Sequence, residues 1–421
     1  MYGENVMQGV RESETHGAEG PRTGAATKLM LGLADRFETG RIRWVLPDGT
    51  VRTTGKDVGS DGARESVSVH LHNDRVARKL FTGGNIGIAE AYMDGDYDAD
   101  DLAGFLTICA TNISVLEATL QGQWWFRNAS RIVHWFNRNT ETGSRRNIHY
   151  HYDLGNSFYE RWLDPSMTYS SAEFLSEKED LLVAQENKYE RLAQRLEVAG
   201  DHHVLEIGCG WGGFAEHVAK SRGARVTALT ISDEQYDFAA RRIQREGLGE
   251  KVNIVKRDYR HEDGNYDRIA SIEMFEAVGE NYWPVFFGKV KDRLSDAGRA
   301  ALQIITIDDD HFDSYKRRPD FIQRYIFPGG MLPSPSKLRD QVRQAGLVVD
   351  SYETFGLSYA RTLAEWNRRF QAAWPEIAAS TEGSRAFDMR FKRMWEYYLA
   401  YCEAGFRAGV IDVCRVAMSK A

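Results

Sequence analysis

The chain of 421 residues has few cysteines, no long apolar run and no excess of basic residues. Its cysteines, Cys109, Cys209, Cys402 and Cys414, form no Cys-x-x-Cys pair and do not cluster with histidine. This argues against a structural zinc site or a disulfide framework, and we predict no metal and a reducing, cytoplasmic compartment. Without a run of about 18 apolar residues, we expect no membrane-spanning segment. The net charge of −7 argues against a general nucleic-acid binder.

The composition along the chain predicts four regions. Residues 1–28 are rich in Gly, Glu, Thr and Ser and lack the apolar segment of a signal peptide, so we predict a mobile tail. Residues 29–120 are typical of a small α+β domain, with a strand pair around a Pro-Asp-Gly turn. Residues 121–150 combine Trp and Phe with Arg, and fit either a linker helix that packs on a neighbouring domain or a membrane-surface element. Residues 151–421 form the last domain.

The pattern changes to alternating strands and helices after residue 200. Apolar runs at 203–207, 225–230, 253–255, 266–272 and 300–306 predict strands, and amphipathic stretches such as 233–246 predict the helices between them. This order indicates a doubly wound, Rossmann-like α/β sheet, with further strand material at 347–355. Ligands of such sheets bind beyond the carboxyl ends of the strands.

A glycine-rich loop follows the first of these strands. Gly208, Gly210 and Gly213 match the dinucleotide pattern G-x-G-x-x-G, which is a weak signal alone. The nearby Glu206 suits a cationic ligand better than a phosphate, and Asp258 with Tyr259 could clamp an adenine. These residues, together with Gly212, favour S-adenosylmethionine, although a dinucleotide stays open at this point.

Several short motifs then point to a known family. From residue 149 the chain resembles the cyclopropane-fatty-acyl-phospholipid synthases, class I methyltransferases that depend on S-adenosylmethionine, and residues from about 31 resemble their N-terminal domain. The matching stretches are GIAEAYMDGD at 87–96, HYDLGN at 151–156, MTYSSA at 167–172, the loop at 204–213, LTISDEQ at 229–235, MFEAVG at 274–279, RYIFPGGMLPS at 324–334, FQAAWP at 370–375 and FKRMWEYYL at 391–399.

The resemblance implies a reaction and two sets of residues. In this family the methyl carbon of S-adenosylmethionine adds to the cis double bond of an acyl chain in a membrane phospholipid, and a bound bicarbonate takes a proton as a cyclopropane ring closes. The implied donor contacts are Tyr169 and Ser170, Gly208 and Gly210 at the methionine part, Thr230 and Gln235 at the ribose, and Asp258 and Tyr259 at the adenine. The implied bicarbonate cage consists of Ser171, Glu276, Gln303, Ile305 and Tyr359.

The sequence departs from the family pattern in this cage. Ser171 and Gln303 stand where many members carry Cys and His. Both can hydrogen-bond an anion, but neither changes charge near neutral pH as His does. Two outcomes follow: bicarbonate still binds and the ring forms, or deprotonation occurs elsewhere and leaves a methyl or methylene branch. The first is our expectation and the second its alternative.

Partners and rival functions complete the expectation. The partner is an unsaturated phospholipid in a bilayer, reached by peripheral contact at the inner face of the cell membrane, and a homodimer is compatible with the resemblance. More remote alternatives are an NAD-dependent oxidoreductase, a noncatalytic lipid-binding protein and a small-molecule methyltransferase.

Overall fold

The structure is a computed structural model, and it describes residues 23–56, 66–120, 154–380 and 387–421. The predicted linker at 121–150 lies outside these residues, as does most of the predicted tail at 1–28. The boundaries of the four regions therefore stay a prediction. Across the described ranges, no helix is both long and apolar enough to cross a bilayer.

The N-terminal part contains a small sheet with helices packed against it. The predicted turn closes through the amide of Gly49, which donates to the carbonyl of Leu46, while Leu46 and Thr50 pair at 2.8 Å. A φ of 80° makes glycine favourable at position 49. The strands are β1 (Gly40–Val45), β2 (Val51–Lys56), β3 (Val67–Leu71) and β4 (Tyr97–Ala99), and the helices are α1 (Ala25–Ala34), α2 (Arg75–Met93), α3 (Leu102–Thr111) and α4 (Ile113–Leu120). The strand order is β2-β1-β3-β4, in which β1 and β3 are parallel and the other neighbours antiparallel.

The larger sheet confirms the predicted α/β class. Its strands are β5 (His203–Ile207), β6 (Arg225–Thr230), β7 (Val252–Lys256), β8 (Tyr266–Ile272), β9 (Leu294–Ile307), β10 (Leu347–Thr354) and β11 (Ile411–Lys420). They lie in the order β10-β11-β9-β8-β5-β6-β7, and β5 to β9 are parallel as predicted. The strand β11 was not predicted. It runs antiparallel to both β9 and β10.

Nine α-helices precede, connect or follow the strands of this sheet within the part of the chain that the structure describes. They are α5 (Asn156–Glu160), α6 (Leu181–Arg195), α7 (Gly213–Arg222), α8 (Asp233–Arg245), α9 (Trp283–Arg293), α10 (Asp309–Arg317), α11 (Pro335–Gln344), α12 (Gly356–Ala379) and α13 (Met389–Arg407). The predicted helix at 233–246 coincides with α8 within one residue at either end.

The helix α13 fixes the N-terminal part to the large sheet. Arg393 donates from its Nη2 to the carbonyl of Tyr97 at 2.6 Å, and its guanidinium lies 4.0 Å from the ring centroid of Tyr92. The hydroxyl of Tyr92 in turn donates to Glu396 at 3.2 Å. These contacts hold α2 and β4 against α13, so that the two parts can enclose a common space.

Candidate active site

A cavity of about 1180 Å³ lies at the carboxyl ends of β5, β6, β7 and β8. This is the edge at which an open α/β sheet binds its ligand. Gly212, Ser171 and Gln303 are among the described residues but do not border the cavity. The predicted site residues that do border it are Tyr169, Ser170, Glu206, Gly208, Gly210, Thr230, Gln235, Asp258, Tyr259, Glu276, Ile305 and Tyr359.

The glycine loop after β5 needs its glycines. Gly208, Gly210 and Gly212 have φ values of 82°, 52° and 83°, which side-chain-bearing residues rarely adopt. A Cβ at Gly208 would come within 2.6 Å of Cγ of Met274, whereas one at Gly210 would meet nothing within 4 Å. The loop therefore packs closely on one side and leaves open space on the other, as a ligand cradle requires.

Glu206 is buried in the wall of this cradle. Burial raises the pKa of its carboxyl to about 8, and its Oε2 has no hydrogen-bond partner among the described residues. A buried carboxyl oxygen without a partner is costly unless a ligand supplies one. An ammonium group would supply both a donor and a positive charge, so the position fits the amino-acid end of S-adenosylmethionine.

The residues predicted for the ribose and the adenine lie on the same side of the cavity. Thr230 donates from its hydroxyl to Oε1 of Gln235 at 2.9 Å. Asp258 accepts from the amide and Nε of Arg260 at 3.0 Å and 2.9 Å. Burial alone would raise the pKa of Asp258, but the hydrogen bonds from Arg260 outweigh it and lower that pKa. The cluster offers hydroxyl, amide and carboxylate groups and fits a nucleoside, with Asp258 shared between the ligand and Arg260.

The most informative residue of the site was not predicted. Glu273 follows β8 directly and borders the cavity. Its Oε1 accepts hydrogen bonds from the amide of Ser171 and from Nε2 of Gln303, both at 2.8 Å. Its Oε2 accepts from the hydroxyl of Tyr359 at 2.6 Å. Ser171, Gln303 and Tyr359 therefore bind a carboxylate of the chain itself.

Glu273 also has a strained backbone. Its φ is 49°, in the left-handed region that favours glycine. A non-glycine residue there costs about 1–3 kcal/mol and persists where surrounding contacts over-determine it, often at a functional site. The position after a strand of this sheet was a sequence signal for Glu273, but the resemblance pointed to Glu276 instead.

Glu276 and Ile305 form a second, separate contact. Oε1 of Glu276 accepts from the amide of Ile305 at 2.6 Å, and its Oε2 is buried without a hydrogen-bond partner among the described residues. Burial, followed by the charge of Glu273, raises the pKa of Glu276 to about 8. Burial also raises the pKa of Glu273, against the hydrogen bonds from Tyr359, Gln303 and Ser171. We assign the negative charge to Glu273, which accepts three hydrogen bonds, and the proton to Glu276.

The predicted cage does not fit bicarbonate. Ser171 and Gln303 are fully buried, and the donors of the cage point at Glu273 rather than at open space. An added anion would meet the charge of Glu273 in a low-dielectric site, where like charges destabilise each other. The resemblance-based expectation of a bicarbonate cage is therefore at odds with the geometry around Glu273.

A buried lysine hydrogen-bonds Ser170, one of the residues predicted to contact S-adenosylmethionine. Lys188 on α6 is fully buried, and its Nζ donates to Oγ of Ser170 at 2.6 Å. Burial lowers the pKa of Lys188 to about 7. The sequence carried a signal for it, since Lys188 stands four residues after Ala184 and four before Leu192 on the buried face of α6.

Aromatic side chains form the wall opposite the glycine loop. The hydroxyls of Tyr169 and Tyr398 hydrogen-bond each other at 2.8 Å, and the rings of Tyr169 and Trp366 have centroids 5.2 Å apart. Tyr359 stacks on Phe406 at 4.4 Å. Faces of aromatic rings attract positive charge, so this wall can stabilise a cation in the cavity.

Comparison with known proteins gives the family of the chain. A sequence profile described as mycolic acid cyclopropane synthetase matches residues 139–416. Tuberculostearic acid methyltransferase UfaA1 of Mycobacterium tuberculosis is 36% identical over 414 residues, covering 94% of this chain and 91% of that protein. Cyclopropane-fatty-acyl-phospholipid synthase of Escherichia coli K12 is 34% identical over 363 residues, covering 84% and 88%. The crystal structure of mycolic acid cyclopropane synthase CmaA1 complexed with SAH and CTAB has a TM-score of 0.60 at 27% identity, covering 66% of this chain and 98% of that one.

Proposed function

Since the chain belongs to the mycolic acid cyclopropane synthetase family of S-adenosylmethionine-dependent methyltransferases, we propose that it methylates the cis double bond of an unsaturated acyl chain in a membrane phospholipid. One observation carries the proposal. A single cavity joins the glycine loop and Glu206 to an aromatic, apolar space that contains the carboxylate of Glu273. Phe327, Leu363 and Phe406 line that space together with the tyrosines, so it suits an alkyl chain.

In this proposal, different residues bind the methyl donor, exclude water and stabilise the developing charge. S-adenosylmethionine, when bound, supplies an electrophilic methyl group. Glu206, Ser170 and Asp258 hold its polar parts, and Tyr169 keeps water from the reacting carbons. An alkene is a weak nucleophile, so alignment and exclusion of water provide most of the acceleration. The faces of Tyr169 and Tyr359 and the carboxylate of Glu273 stabilise the positive charge that develops on the acyl chain.

Glu273 then takes the proton that the reaction must release. When the methyl carbon bonds to one alkene carbon, positive charge remains on the other, and loss of one proton neutralises the product. Glu273 carries the charge needed to accept that proton, and Tyr359, Gln303 and the amide of Ser171 keep it oriented. In this proposal the base belongs to the protein, and bicarbonate has no role.

Two products satisfy this chemistry. If the electron pair released by deprotonation bonds the methyl carbon to the second alkene carbon, a cyclopropane ring forms. If a hydride first shifts along the chain and the pair forms a new double bond, a methylene branch results. The ring is the first candidate. The branch is the alternative, since Ser171 and Gln303 stand where many members of the family carry Cys and His. A saturated methyl branch would further require a reductant, and we do not propose that step here.

The test uses the full chain, S-adenosylmethionine with a trideuterated methyl group and vesicles of oleoyl phospholipid. We expect the acyl chain to gain one labelled carbon, with one deuteron lost. Deuterium NMR then distinguishes the CD2 group of a ring from the vinyl CD2 group of a branch. Vesicles of saturated phospholipid are the control and should gain no label. Label in both lipids, or in neither, contradicts the proposal.

A binding measurement separates the rival classes. The demethylated product S-adenosylhomocysteine should raise the melting temperature of the protein, and NAD should not. Stabilisation by NAD alone would favour the oxidoreductase, whereas donor binding without transfer to any lipid would favour a noncatalytic role.

A further inference from the structure

The cavity does not end at the large sheet. It continues past α13 into the N-terminal part, where side chains of α1, α2 and α3 complete its wall. Tyr397, Tyr401 and Cys402 on α13 border it along the way. A cavity of about 1180 Å³ exceeds the range of about 300–1,000 Å³ that is common for a single small-molecule site. The space is thus large enough for the donor and a second, elongated ligand.

The N-terminal section of the wall is apolar. Leu33, Phe37, Leu80 and Phe105 border the cavity although each is at most 9% exposed. Trp44 also borders it, and its indole N–H already donates to the hydroxyl of Thr54 at 2.8 Å. Phe37, Trp44, Leu80 and Phe105 belong to a hydrophobic core that continues into α12 and α13. Protein cores are normally close-packed, so space among such side chains indicates a built compartment for an apolar ligand.

The shape of α2 contributes to this compartment. At Gly84 the backbone leaves the helical region, with φ 57° and ψ −135°, and the helix kinks. Residues 82–86 border the cavity, and a Cβ at Gly83 or Gly84 would meet nothing within 4 Å. The kink therefore lies where the wall faces open space.

Charge within this section is neutralised. Glu90 is the acidic residue of the described N-terminal part that borders the cavity, and it accepts from the hydroxyl of Tyr325 at 2.6 Å and pairs with Arg324 at 3.4 Å. A phosphate or nucleotide would find no cationic side chain on α1, α2 or α3 along the described wall. An alkyl chain needs none.

We propose that the N-terminal part binds the methyl-terminal segment of the acyl chain whose double bond lies beside Glu273. This inference rests on the proposed function and adds to it a substrate-length determinant. In this proposal the acyl chain passes α13 near Tyr398, and its methyl end lies among Leu33, Phe105 and Cys109. The N-terminal part is then a section of the substrate site.

The first experiment fills the compartment. Cys109 lies on α3 and borders the cavity, whereas Thr111 lies on the same helix and is exposed. We expect Cys109→Phe to lower the rate on oleoyl relative to myristoleoyl phospholipid by about tenfold, because each methylene that cannot be buried costs a comparable factor. Thr111→Phe is the matched control and should leave the ratio unchanged. An unchanged ratio in Cys109→Phe overturns the inference, and so does an equal loss on both lipids with S-adenosylhomocysteine binding intact.

The second experiment needs no variant and does not depend on turnover. An oleoyl phospholipid with a diazirine at the methyl end of its acyl chain is irradiated with the wild-type chain, and the labelled peptides are mapped by mass spectrometry. Labels within residues 23–116 support the inference, and labels confined to residues 154–421 overturn it. If the wild-type chain carries the N-terminal label but transfers no methyl group, the proposed function fails while the binding site stands.

Discussion

The hydroxyl of Tyr359 donates to Oε2 of Glu273 at 2.6 Å, across the space between the start of α12 and the end of β8. Glu273 in turn accepts from Gln303 on β9 at 2.8 Å. Three elements that are distant in sequence thus converge on one carboxylate. A carboxylate held in this way has a fixed orientation, which its proposed role as the base requires.

Replacing this carboxylate tests its role as the base. Glu273→Gln preserves the size of the side chain but cannot accept a proton, so we expect kcat to fall by about 10²–10⁴-fold. Stabilisation by S-adenosylhomocysteine should persist, because Glu206 and the glycine loop are unchanged. Glu250→Gln at an exposed position is the control. A Glu273→Gln protein with near wild-type kcat would remove Glu273 from the mechanism.

The backbone strain of Glu273 leads to a second prediction. Since φ is 49° at this position, Glu273→Gly should be more stable than Glu273→Ala by about 1 kcal/mol in urea denaturation, because both variants lose the same three hydrogen bonds and only glycine adopts this φ without strain. The glycine variant is used for the next measurement. The same variant should lose activity and regain part of it when acetate or bicarbonate is added, because the donors of Ser171, Gln303 and Tyr359 become available to an external anion. Activity without any added anion would contradict this view.

The protonated state of Glu276 predicts a pH-dependent stability. Its pKa is about 8 in the folded protein against an ordinary value of 4.5. Between these values the unfolded chain releases the proton that the folded chain keeps, so stability falls as pH rises from about 4.5 to 8. Glu276→Gln should flatten this fall in the melting temperature. A residual slope from Glu206 is expected, because its pKa is also raised to about 8. An identical slope in the variant would disprove the assignment.

Lys188 should tune the pH dependence of the reaction. Burial raises the pKa of Glu273, and the charge of Lys188 is one of the interactions that oppose this. Lys188→Met removes the charge, so the acidic limb of the kcat profile should move to higher pH. The exposed Lys220, changed to Met, is the control and should leave the limb in place. A change confined to the KM for the donor would instead limit Lys188 to holding Ser170.

The attachment of the N-terminal part can be tested at Arg393. Its guanidinium donates to the carbonyls of Tyr92 and Tyr97, and only 17% of the side chain is exposed. Arg393→Met leaves both carbonyls without this partner, and we expect a loss of about 2–4 kcal/mol in stability together with faster proteolysis between residues 56 and 102. Arg368→Met, on the exposed surface of α12, provides the comparison. Equal stabilities would show that other contacts hold the two parts together.

The sequence predicted the parts of the fold that follow from local patterns. The parallel strands β5 to β9 and the glycine loop were predicted, because apolar runs and glycine spacing are visible along the chain. The strand β11 was not predicted: its apolar stretch at 413–418 is interrupted by Arg415, and nothing along the chain indicates that it pairs antiparallel with β9 and β10. The direction of β11 depends on the connection through α13 and on its pairing with β9. The paired residues of β9 and β11 lie more than a hundred positions apart in the sequence.

The candidate site shows the same division. The residues around the donor were predicted from their positions after the strands and from the motifs, and most of them border the cavity. Glu273 and Lys188 were missed because a single charged residue in a strand turn or on a helix is usually solvated. Their burial depends on what packs against them, and that is a property of the three-dimensional structure. Of the five residues predicted to hold bicarbonate, Glu276 and Ile305 bind each other, and the remaining three contact Glu273.

The helix α13 touches the two ends of the cavity at once. The hydroxyl of Tyr398 hydrogen-bonds that of Tyr169 in the wall of the cavity, and the ring centroid of Tyr397, one position earlier, lies 5.9 Å from that of Tyr92 in the N-terminal part. A ligand that shifts this helix at one end therefore changes the room available at the other. If bound lipid raises the affinity for S-adenosylmethionine, then bound S-adenosylmethionine must raise the affinity for lipid by the same factor. Under the proposed function, this shared helix would make each of the two substrates raise the affinity of the protein for the other.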